Sequence, residues 1–193
     1  MLTDEKINLL AKVARTPHGS VPAAAGTADR SILTLAAASY GSRPTDESTV
    51  PTGFDPFAAA LFESIVEGAY LVATADGVFD EEERRTFERI VTASCGGSVP
   101  QKHVADLVAD LADQLEEDGL ERRIQRLAEG VQRREHGLEV LRIAALIAQS
   151  SEDVSPVERD VLAKIAAACK LGEGAVDTAL GEVRDAVRAS LSP

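Results

Sequence analysis

The sequence predicts an all-α fold, about seven helices in a compact bundle with an internal duplication. Three observations carry that prediction. Apolar residues recur at spacings of three and four, and strand alternation appears nowhere. Aromatic content is 4%, with abundant Ala, Leu, Val and Glu, a composition that suits close-packed helices. Residues 66–91 (VEGAYLVATADGVFDEEERRTFERIV) and 141–166 (LRIAALIAQSSEDVSPVERDVLAKIA) read as one helix-turn-helix unit written twice. Aligned from end to end, the two copies superpose Glu158 on Glu83 and Arg159 on Arg84. Such a repeat predicts two halves packed about a pseudo-twofold axis, with two acidic turns brought near each other.

Taken in order, residues 3–15 place Ile7, Leu10, Val13 and Ala14 at loosely helical spacing, with Thr3 or Asp4 as N-cap. A Pro/Gly-rich stretch (TPHGSVPAAAGTA) follows, then a short helix over 29–39 and a second loop, GSRPTDESTVPTGFDP. Residues 1–55 therefore read as a partly disordered arm with one or two short helices, either a floppy extension or an arm whose short apolar elements dock on the main domain, and 56–193 as the helical domain. Asp55-Pro56 opens that domain, as N-cap and first helical residue. From Phe57 to Ala75 the helix is apolar on nearly every face, the signature of a helix in the middle of a bundle; 138–149 repeat it. The second helix of each unit, 80–95 and 155–170, is amphipathic, with Phe87, Ile90 and Val91 matched by Leu162, Ile165 and Ala166. Between the units, Ser98-Val99-Pro100 opens a helix that Asp118-Gly119 breaks, and a further helix runs from Leu120 to about Arg134. A last helix carries Val176, Leu180, Val183 and Val187.

The net charge is −12, and it is unevenly spread. Residues 1–56 hold six acids against five bases, while the remainder holds 26 acids against 15 bases. A surface of this sign repels phosphate backbones and anionic headgroups and attracts cations or basic partners, which argues against nucleic-acid binding. No uninterrupted apolar run approaches the ~20 residues of a membrane span, so membrane insertion is not expected. The N-terminus, MLTDEKINLL, is acidic where a signal peptide is basic. Cys95 and Cys169 lack CxxC spacing and read as small apolar residues in a reducing compartment. The expected location is cytoplasmic.

The first turn, Asp76-Gly77-Val78-Phe79-Asp80-Glu81-Glu82-Glu83, matches the second half of an EF-hand loop. Asp76, Asp80 and Glu83 would take ligand positions. The first half fails, since Val72 and Thr74 stand where oxygen ligands belong, and calcium needs six to eight oxygens. Helix capping explains part of the pattern with no ligand at all. Asp80-x-x-Glu83 and Ser155-Pro156-Val157-Glu158 are capping-box arrangements, and Gly77 ends a helix. Capping leaves Asp76, Glu82, Glu152 and Asp153 unassigned.

The stretch LVATADGVFDEEERRTFERIV, answered one repeat later by LIAQSSEDVSPVERDVLAKIA, resembles the TerB-like domain of tellurite-resistance proteins. The resemblance covers about residues 57–190. It implies a compact helical domain with acidic residues at the helix turns, suspected to bind a divalent metal such as calcium, in a stress-response assembly. The acids it implies are Asp76, Asp80 and Glu83, then Glu158 in the second half. There Ser151-Glu152 replaces Asp-Gly, which shifts the carboxylate opposite Asp76 to Glu152 or Asp153.

Other chemistry finds no motif. His18, His103 and His136 form no HxxxH or HxxE pair, and no Walker, Rossmann or nucleophile-elbow pattern occurs. The expectation is a non-enzymatic module, either metal-responsive or an adaptor that recruits a protein partner through its arm or an exposed helix face.

Overall fold

The computed structural model describes residues 2–17, 30–44, 54–77, 79–150 and 153–191. The loop stretches expected to be disordered fall largely on 18–29 and 45–53, outside the described residues. Among the described residues every regular element is helical, and no strand forms. The elements are α1 (Asp4–Arg15), α2 (Ile32–Gly41), α3 (Pro56–Ala73), α4 (Glu81–Ser94), α5 (Gln101–Asp118), α6 (Leu120–Glu129), α7 (Arg134–Ala148), α8 (Pro156–Ala168) and α9 (Ala175–Leu191). That makes nine described helices, not about seven. Seven follow Asp55, and α1 and α2 are the short elements that precede it.

The helix starts follow local chemistry. Thr3 Oγ1 accepts from the Lys6 amide and caps α1, and Ser31 Oγ does the same for Thr34 in α2. Asp55 Oδ1 accepts from the amides of Phe57 and Ala58 at 2.9 and 3.3 Å, with Pro56 supplying the preset φ of the first turn.

One boundary differs from the sequence expectation. α6 stops at Glu129 and α7 begins at Arg134, where a continuous helix to about Arg134 was expected. The chain after α6 presses against α3: a Cβ on Gly130 would stand 2.4 Å from Ser64 Oγ. The absence of a side chain at Gly130 permits that close approach, which periodicity does not encode.

α3 and α7 lie against each other at the centre, and their mutual contact is the most extensive between the described helices. α3 is long and apolar enough to cross a membrane by length and composition, yet 67% of it is buried inside the bundle. Phe62, Ile65, Ala69 and Val72 of α3 meet the same interior as Val140, Leu141, Ala144 and Ala148 of α7, all at or below 1% exposure. α2 packs on α3, α9 on α7, and α1 on α4 and α9. Ile7, Leu10, Val13, Leu33, Ala37 and Tyr40 belong to this same core. The two short N-terminal helices thus share the interior of the bundle.

Candidate functional site

The two acidic turns are built alike. In the first, Asp80 Oδ1 accepts from the amides of Glu82 and Glu83 at 2.8 and 2.9 Å, and Glu83 Oε2 accepts from the Asp80 amide at 3.0 Å. In the second, Ser155 Oγ accepts from the Glu158 amide at 3.2 Å, and Glu158 Oε2 accepts from the Ser155 amide at 2.7 Å. Both are complete capping boxes. Gly77, at φ +80°, takes the chain out of α3 in a conformation that side chains disfavour. Phe79 then anchors the turn from below. Its ring lies edge-on to Tyr70 at 5.4 Å and to Phe87 at 6.1 Å, which fixes where α4 begins.

This geometry decides what the carboxylates face. Asp80, Glu83 and Glu158 are turned onto their own backbone amides. Asp76 and Asp153 lie on exposed turn backbone, and Glu152 lies outside the described residues. Among the described residues no group of three or more His, Cys, Asp or Glu side chains is placed to hold a metal ion.

The buried charges are elsewhere, and the sequence reading missed them. On α7, Arg142 Nε and Nη2 donate to both oxygens of Glu139 at 2.8 and 3.0 Å, and these residues are 6% and 1% exposed. Arg142 also donates to the carbonyls of Val13 and Ala14, at 3.1 and 2.9 Å, in the last turn of α1. Glu139 Oε1 accepts from the Leu33 amide, in the first turn of α2, at 3.1 Å. Helix ends leave such carbonyls and amides without intrahelical partners. Arg meets the negative end of one helix and Glu the positive end of another, so each sign suits the macrodipole it faces.

A second pair lies on α3. Arg123 of α6 donates to Glu67 at 2.7 Å and to Asp118 at 3.2 Å. Burial pushes the Glu67 carboxyl above its ordinary range, against the opposing pull of Arg123. Charged residues set within apolar stretches, Glu63 and Glu67 in α3 and Glu139 and Arg142 in α7, were the available signal for both pairs.

The thiols offer little chemistry. Cys95 and Cys169 are free, and burial pushes them up to about 12 and about 11. The thiolate, which is the reactive form, is suppressed at both. Burial, followed by the nearby Arg133, lowers His136.

Residues 63–180, more than half of the chain, match the family model described as tellurite resistance protein TerB. No curated protein and no solved structure matches the chain. The matched stretch runs from within α3 into α9 and takes in both capped turns and both buried ion pairs, and on that match the chain belongs to the TerB family.

Proposed function

We propose that this TerB-family chain is a non-enzymatic adaptor in the cytoplasm, serving a stress-response assembly of the tellurite-resistance type. In this reading its acidic turns act as helix caps, and a protein partner is recruited through the surface. The observation that supports it most is the orientation of Asp80, Glu83 and Glu158, whose oxygens accept backbone amides. The acidic surface suits a basic protein partner. We also read the two helix-turn-helix units as copies of one ancestor. In support, the register that lays Glu158 on Glu83 also lays Ala148, the end of α7, on Ala73, the end of α3. The same register lays Pro156, the start of α8, on Glu81, the start of α4.

Melting curves of the full chain with calcium, magnesium, manganese or zinc test this reading. An ion bound to the native state alone adds RT ln(1 + [L]/Kd), about 2.7 kcal/mol at a hundred times Kd. The adaptor reading expects an unchanged Tm with all four ions at millimolar concentration. A rise that Asp76→Asn diminishes would replace it with the metal-responsive one.

A further inference from the structure

We propose that the Glu139–Arg142 pair couples the seating of α1 to the seating of α2, so that the two helices dock as one unit although they barely touch. The inference is independent of the adaptor reading. α1 lies mainly against α4 and α9, and α2 lies mainly against α3. The contact of α1 with α2 is slight, and so is the contact of each with α7. Packing between the two helices therefore gives one little means of sensing the other. What joins them is a line of hydrogen bonds that passes through α7.

Arg142 Nη2 donates to the Ala14 carbonyl at 2.9 Å and to Glu139 Oε1 at 3.0 Å. The same Oε1 accepts from the Leu33 amide at 3.1 Å. The line thus runs without a gap from the last turn of α1 to the first turn of α2. It is braced on one side by Arg142 Nη1 on the Val13 carbonyl and on the other by Nε on Glu139 Oε2. Both side chains are buried, and in a low-dielectric interior successive hydrogen bonds polarise and strengthen one another. The ends also match in sign, with the negative end of α1 on the cation and the positive end of α2 on the anion. If α1 shifts, Arg142 loses two acceptors and turns, and it carries with it both oxygens of Glu139 and the bond to Leu33. If α2 shifts, Glu139 loses its amide donor and the fork no longer aims Arg142 at α1. A lysine cannot replace this fork, because its three donors share one nitrogen.

A double-mutant cycle in the full chain tests the coupling at points remote from the pair. Ile7 lies about 9 Å along α1 from Val13, and Tyr40 lies about 10 Å along α2 from Leu33. Ile7→Ala loosens α1, and Tyr40→Leu loosens α2, whose ring stacks on Phe62 of α3. Changes so far apart ordinarily multiply in the unfolding constant. Coupled helices depart from that rule, because a helix already loosened through its neighbour has less left to lose. In urea unfolding, the double variant should be destabilised less than the product of the single effects, by at least about threefold. Arg142→Lys keeps a positive charge beside Glu139 but breaks the line, so in that background the effects should multiply. Ile7→Val replaces Ile7→Ala in either background where the double variant does not fold, and the expected shortfall is then about twofold. Single effects that multiply in the wild-type background, or a shortfall that persists unchanged with Arg142→Lys, would overturn the proposal.

Discussion

Glu67 on α3 and Arg142 on α7 fall on each other in the register proposed above for the two helix-turn-helix stretches, and they are buried charges of opposite sign. Each is used to hold a different neighbour. Glu67 fastens α6 through Arg123, whereas Arg142, with Glu139 beside it, fastens the end of α1 and the start of α2. The turns above them differ in the opposite sense. Their residues vary, Asp80 in one and Ser155 in the other, yet the hydrogen bonds are the same. The difference teaches that the turns keep one local task while the interiors specify which helix packs where.

The largest test removes what the second unit holds. Read as an arm outside the 56–193 domain, residues 1–55 would be dispensable for folding. We predict the opposite outcome, because Ile7, Leu10, Val13, Leu33 and Tyr40 are each no more than 4% exposed. Burial of each large apolar side chain contributes roughly 1.5–3 kcal/mol against a typical total of about 5–15. The truncated chain should lose cooperative unfolding in urea; a sharp transition near the wild-type midpoint would return α1 and α2 to the status of an accessory arm.

Next in size are the two arginines. Arg142→Met leaves Glu139 buried without its cation and should destabilise the fold by about 3–5 kcal/mol. Arg123→Met should cost less, about 1.5–3 kcal/mol, since the partner it abandons, Glu67, is already inclined toward its neutral form. Equal losses in chemical denaturation would mean that holding α1 and α2 adds nothing to the second pair.

The smallest effect is a pH slope. Glu67 has a folded-state pKa above its ordinary 4.5, so the native state binds its proton more readily than the unfolded chain does. Its contribution to stability is therefore full below the unfolded value and is lost as pH rises through the folded one. As pH rises above the ordinary carboxyl value of 4.5, the wild type should lose stability relative to Glu67→Gln. Parallel stability curves for the two proteins would remove Glu67 from the account.

Much of this was legible in the sequence because it is local. Periodicity marked the helices, Asp55-Pro56 marked the start of α3, and the spacing of Asp80 with Glu83 and of Ser155 with Glu158 marked the caps. What escaped depends on contacts distant along the chain. Gly130 passes close against Ser64 of α3, and Arg142 binds carbonyls 128 and 129 residues away. The carboxylates of Asp80 and Glu83 suit an ion or an amide equally by residue type. Only their orientation separates the two.

Asp80→Asn and Asp80→Ala, compared in one denaturation series with and without divalent ions, test that orientation most directly. Asparagine caps a helix as aspartate does but carries no charge, whereas alanine does neither. As a cap, Asp80→Ala should lose about 0.5–2 kcal/mol and Asp80→Asn less than half of that, in the presence or absence of ions. Equal losses in the two variants, or a divalent-ion stabilisation of the wild type that Asp80→Asn abolishes, would contradict the capping account.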